Sequence, residues 1–162
     1  MPESPSFLPA MLNLDGQWED ILERLYEVFA RDFKRAKTFH RGLRVIYNSA
    51  IKPDGQSKEE GFWHVVSKDD QDTGERLIDY PRAKRLPWAK PLMESPERSE
   101  IKVWQYQEGT SDKGIRTYIW LPEYDYILIL QRKKNLLFWI TAYYLESERA
   151  RQGLQKKYEK RV

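Results

Sequence analysis

His64 sits in the middle of an apolar run, Gly61-Phe62-Trp63-His64-Val65-Val66-Ser67-Lys68, in a chain with only two histidines. An imidazole titrates near neutral pH, so it can take or give a proton in phosphoryl transfer and RNA cleavage. Residues 61–68 read as a strand with His64 at its centre. Two readings stay open: a strand that presents a catalytic imidazole, or a core strand whose histidine is satisfied in place. His40 follows the first helix, in Thr38-Phe39-His40-Arg41-Gly42, and reads as a helix-end residue. A second grouping lies at residues 82–90, where Arg82, Lys84, Arg85 and Lys90 occur with no acid among them. With Tyr80 and Trp88 interleaved, this run suits phosphate contacts and base stacking, or else a solvated basic face.

Other chemistries are poorly served. The chain has no cysteine and two histidines, so the usual zinc patterns and any disulfide framework are excluded. GxxxxGK[ST], GxGxxG and GxSxG do not occur, and no cofactor is expected. With 162 residues, 40% apolar and 33% charged, the chain suits one folded domain. No window approaches the run of about 20 apolar residues that spans a membrane. The start, Met1-Pro2-Glu3-Ser4-Pro5, does not resemble a signal peptide. The expected location is therefore cytoplasmic, with no membrane partner. Net charge is +3, a mild excess that favours an anionic partner only weakly.

The elements that must position these residues follow from periodicity. Residues 18–36 form a helix, with Trp18, Ile21, Leu22, Leu25, Tyr26, Phe29 and Phe33 on one stripe. Asp15 is its expected cap. A short strand at 43–47 leads into a polar loop at 48–60, and a second loop follows at 69–75. Asp79 should cap a short helix beginning at Pro81. Strands are expected at 101–106, 116–121, 126–131 and 136–144, joined by turns at 109–114, 122–125 and 132–135. In the second of these, Arg116, Tyr118 and Trp120 share a face. The tail from residue 145 is helical, with Leu154 and Tyr158 as its apolar contacts. The whole is a single α+β domain: an irregular lead-in at 1–14, an amphipathic helix on a largely antiparallel meander, and a polar C-terminal helix.

These residues also form a pattern in order. It runs from Leu25-Tyr26-Glu27-Val28-Phe29 with Asp32-Phe33, through Phe62-Trp63-His64-Val65, to the box Arg82-Ala83-Lys84-Arg85-Leu86-Pro87-Trp88. It continues with Tyr124-Asp125-Tyr126 and closes with Thr141-Ala142-Tyr143-Tyr144. Together it resembles phage-associated members of the barnase–EndoU–colicin–RelE-like group of metal-independent ribonucleases, over roughly residues 25–144. The resemblance implies a helix-plus-antiparallel-sheet fold and an RNA-cleaving protein of phage or mobile-element toxin type. RNA would be its partner, and an inhibitor protein a further one. By position it implies a catalytic set of His64, Lys68, Arg116 or Tyr118, Thr141 and Tyr143, with RNA contacts from Tyr80, Arg82, Lys84, Arg85 and Trp88. The chain departs from the group in one respect: no carboxylate stands clearly in the place of a general base.

Such cleavage needs a base for the 2′-OH, an acid for the leaving 5′-oxygen and cations on the phosphorane. His64 supplies acid or base; Lys68, Arg116 or Arg82 supplies charge; Thr141 and Tyr143 supply hydrogen bonds. On a strand, His64 and Lys68 would stand about 13 Å apart, so the site would be completed from neighbouring strands. A non-catalytic RNA- or protein-binding module on the same scaffold is the alternative.

Overall fold

A computed structural model of the chain describes residues 4–109 and 114–162. In chain order its elements are α1 (Trp18–Phe29), β1 (Thr38–His40), β2 (Leu43–Ile46), α2 (Glu60–Val66), β3 (Ser67–Asp69), β4 (Arg76–Ile78), α3 (Tyr80–Ala83), α4 (Ala89–Glu94), β5 (Lys102–Gln107), β6 (Ile115–Leu121), β7 (Tyr126–Lys133), β8 (Leu136–Tyr144) and α5 (Glu148–Glu159).

The stripe on α1 buries Ile21, Leu22, Leu25, Val28 and Phe29, and the wider turns of Ala30–Arg35 carry it on to Phe33. Asp15 does not cap this helix, because the chain enters through Gln17 with no side-chain cap. Arg24 reaches back instead, donating to the carbonyl oxygens of Asn13 and Asp15.

The large sheet has six strands in the order β1-β2-β8-β7-β6-β5. Every neighbouring pair is antiparallel except β2–β8, which is parallel. The fold is α+β, as the pattern of helix, meander and tail indicates. The near-continuous apolar run of β7 is explained by cover on both faces. Leu128 and Leu130 face the main core with α1, α2 and α4, while Ile127 and Ile129 face α5 together with Trp104, Tyr118 and Trp120. The lead-in is tied down: Leu8 is buried, and Leu12 N–H donates to Lys84 O at 2.8 Å. Of the turn expected at 109–114, residues 110–113 lie outside the described residues. Among the described residues, no helix is long and apolar enough to cross a membrane.

The segment around His64 departs from expectation. Residues 60–66 form helix α2, and only Ser67–Asp69 is strand. Phe62, Trp63, Val65 and Val66 are all buried, so the run lacks the alternation of a half-covered strand. A continuous apolar run of this length fits a buried helix equally well, and tertiary packing overrides the β-preference of its valines. Gly61 is part of the reason. A Cβ there would stand 2.8 Å from Tyr47 Cβ, so only glycine lets the helix start against β2. Its N–H and that of Glu60 donate to Asn48 O and Ala50 O at 2.9 and 2.8 Å, which satisfies the first turn.

Candidate active site

Helix α2 packs along β8. The register of β8 shifts at Ile140, with Thr141 opposite Ile129 and Trp139 opposite Leu130. A bulge of this kind bends the strand and re-aims its side chains. Thr141 Oγ1 donates to His64 O at 3.1 Å. Arg82 Nη1 donates to the same oxygen at 3.2 Å and to Ser67 O at 2.9 Å. The free carbonyls at the end of α2 are thereby satisfied by a strand and by α3.

One helical turn separates Glu60 from His64, so both lie on the outward face of α2. This face forms one wall of a cleft of about 470 Å³ that also holds Lys52, Lys68, Asp69, Arg76, Arg82, Ile140, Thr141 and Tyr143. His64 is exposed into it. Desolvation pushes the imidazole below the ordinary histidine pKa. Glu60 and Asp69 oppose this, and Arg76 and Lys52 add to it.

Glu60 is buried and accepts two hydrogen bonds from the Arg76 guanidinium, at 3.0 and 3.1 Å, with Lys52 Nζ at 3.1 Å. The bidentate Arg76 contact, helped by Lys52, pulls its carboxyl down to about 2. Its place in the first turn suits the positive end of the helix. Neighbouring Glu59 serves another purpose. It receives Tyr26 Oη at 2.6 Å and Lys34 Nζ at 3.0 Å, which fastens α2 to α1. Desolvation raises the Glu59 pKa, and the hydrogen bonds from Tyr26 and Lys34 outweigh it and hold the carboxyl below its usual range.

The cleft gathers five of the residues singled out from sequence: His64, Lys68, Arg82, Thr141 and Tyr143. Lys68 stands on β3, which follows directly from α2, and lines the same cleft as His64. Thr141 commits its hydroxyl to backbone oxygens and so fastens β8 to the end of α2. Tyr143 is 42% exposed, with the Arg82 guanidinium 4.9 Å from its ring centroid.

Arg116 and Tyr118 do not join them. Both lie on β6, two strands from β8. Tyr118 is buried under α5, where it hydrogen-bonds Glu108 and receives Lys157 Nζ at 3.1 Å.

The basic box turns largely inward. Trp88 is fully buried and donates its N–H to Pro9 O at 2.8 Å. Arg82 is buried in its clamp on α2 and β3. Arg85 lies against Tyr144, 4.1 Å from the ring centroid, and desolvation lowers its pKa. Lys84 is partly exposed, and Tyr80 is the exposed aromatic of the group. His40 is a buried strand residue, not a helix-end one; its Nδ1–H donates to Met93 O at 2.7 Å, and its Nε2 has no partner.

No protein-family model, curated protein or solved structure matches this chain.

The cleft is therefore read from its own geometry. Glu60, Arg76 and Lys52 are the members that sequence reasoning missed. The i, i+4 spacing of Glu60 and His64 carries a signal, but only once residues 60–66 are taken as helix. Nothing local marks Arg76, which reaches Glu60 from β4 across 16 residues.

Proposed function

We propose that the chain is a metal-independent endoribonuclease. The supporting observation is the cleft, in which an exposed imidazole shares the lining with Lys52, Lys68, Arg76 and Tyr143. With its pKa held down by desolvation, His64 is largely neutral at neutral pH and suits the base. It takes the proton of the 2′-OH, whose oxygen attacks the adjacent phosphorus. Lys52, Lys68 and Arg76 offset charge on the phosphorane. The P–O5′ bond breaks, and Tyr143 or Lys68 protonates the departing oxygen. The products are a 2′,3′-cyclic phosphate and a 5′-hydroxyl. Glu60 is an orienting group here, since its carboxylate is occupied by Arg76 and Lys52.

A second reading, a non-catalytic RNA- or protein-binding module, is favoured by that same neutralisation of Arg76 and by the committed hydroxyl of Thr141. Incubation of RNA in excess EDTA with the wild-type chain and a His64→Ala variant separates the two. Cleavage by the wild type alone supports the ribonuclease. Salt-dependent binding without cleavage supports the module.

A further inference from the structure

The chain carries 25 acidic residues, yet none lies in the six strands of the large sheet. Those strands carry Arg44, Lys102, Arg116, Arg132 and Lys133. Helix α5 covers the outer face through Trp104, Tyr118, Trp120, Ile127 and Ile129, which belong to β5, β6 and β7. The outer face of β1, β2 and the first half of β8 carries no helix among the described residues.

Strand register fixes what this open face displays. Phe39 is opposite Arg44, Arg44 is level with Leu136, and Leu136 is opposite Lys133. Ile46 is level with Phe138. Val45 and Leu137, the alternate residues, point into the core, so this set points out. Phe39 is 43% exposed, and Lys133 Nζ stands 4.6 Å from the Phe138 ring centroid. Among the described residues, Arg44 and Lys133 have no carboxylate at ion-pair distance. The same strand, β8, continues from Phe138 to Thr141 and Tyr143 in the wall of the His64 cleft.

We propose that this outer face of β1, β2 and β8 is a binding track for single-stranded RNA that leads a strand into the His64 cleft. The direction toward the cleft rests on the ribonuclease reading; the track itself does not. Unstacked bases find π-faces at Phe39 and Phe138, and phosphates find Arg44 and Lys133 on strands that carry no acid; Glu94 of α4 meets only the rim, accepting from Phe39 N–H at 3.1 Å. A sheet face with the exposed ring of Phe39 and the half-buried ring of Phe138 suits splayed bases, whereas a duplex keeps its bases stacked inside.

The test uses the full chain carrying His64→Ala, so that RNA survives, and reads the anisotropy of a labelled single-stranded RNA across a salt series. Phe39→Ala with Phe138→Ala should weaken binding roughly tenfold or more. Arg44→Gln with Lys133→Gln should lower the slope of log affinity against log salt by about 1.4. An unlabelled duplex of the same sequence should compete poorly. Phe39 and Arg44 are both exposed, so Phe39→Ala with Arg44→Gln gives a folded variant even if Phe138→Ala does not. Unchanged affinity and slope in these variants, equal competition by duplex, or no binding of RNA would overturn the track. RNA bound through this face by a wild-type chain that cuts nothing would uphold the track and remove only the ribonuclease reading.

Discussion

Thr141 and His64 are 77 residues apart in sequence, and the hydroxyl of one donates to the carbonyl oxygen of the other at 3.1 Å. This bond ties α2 to the β8 bulge. Arg82 donates to the same oxygen, so the end of α2 is held from two sides. Thr141→Val should therefore cost about 1 kcal/mol of stability, because the carbonyl keeps one of its two donors. If Thr141 positions His64, kcat on RNA falls with little change in KM, and Thr141→Ser restores most of it. A Ser variant no better than Val would show that the hydroxyl has no such role. Steady-state kinetics and thermal melts read both effects.

Glu60 links the cleft to its charge. Glu60→Gln leaves Arg76 and Lys52 without their carboxylate. The expected loss is about 2 kcal/mol, below that of a fully buried pair because both cations reach water. Since Glu60 raises the His64 pKa, its removal should move the imidazole titration to lower pH, and Lys52→Gln should move it up. Proton NMR of the His64 ring across pH reads the direction. An unmoved or raised value in Glu60→Gln would break the assigned coupling.

Gly61→Ala tests why residues 60–66 are helical. The added methyl would meet Tyr47 Cβ at 2.8 Å, with Asn48 N at 3.1 Å. Overpacking of this kind costs about 1–3 kcal/mol. Urea denaturation should show it, and Tyr47→Ala should relieve part of it. Wild-type stability in Gly61→Ala would mean that the close approach is not a constraint.

Stability should fall on the acid side in two stages. His40 and His64 have lowered folded-state pKa values, first through desolvation. Protonation therefore favours the unfolded chain, and stability declines as pH drops below about 6.5. Glu60, at about 2 when folded against 4.5 unfolded, contributes stability above 4.5 that is lost as pH falls toward 2. On the alkaline side Tyr47 is pushed up to about 12, chiefly by desolvation, so its contribution declines as pH rises beyond 10. Denaturant titrations at stepped pH, with His40→Gln and Glu60→Gln as controls, assign each stage. A stability profile flat between neutral pH and pH 3 would contradict the assignments.

The meander was legible because short turn segments separate its apolar runs, and the near-continuous apolar run of β7 marks a central strand covered on both faces. The cap of α3 was legible too, since Asp79 Oδ1 accepts from Arg82 N. Helix α2 was not, because its apolar run is buried nearly all round and loses the period that separates helix from strand. The cleft followed the same division. His64, Lys68, Thr141 and Tyr143 were visible as residue types, while Arg76 and Lys52 reach Glu60 only through tertiary packing. Arg82, Arg85 and Trp88 read as a surface because charge usually means solvent, but here hydrogen bonds and aromatic rings hold them inside.

The most direct measurement pairs one RNA with its 2′-O-methyl counterpart in excess EDTA, and identifies the ends produced by the wild-type chain and by His64→Ala. The expected result is 2′,3′-cyclic phosphate and 5′-hydroxyl ends from the unmodified RNA with the wild type, and no cleavage from the methylated RNA or from the variant. No cleavage by the wild type, or equal cleavage by both proteins, would contradict a His64-dependent ribonuclease.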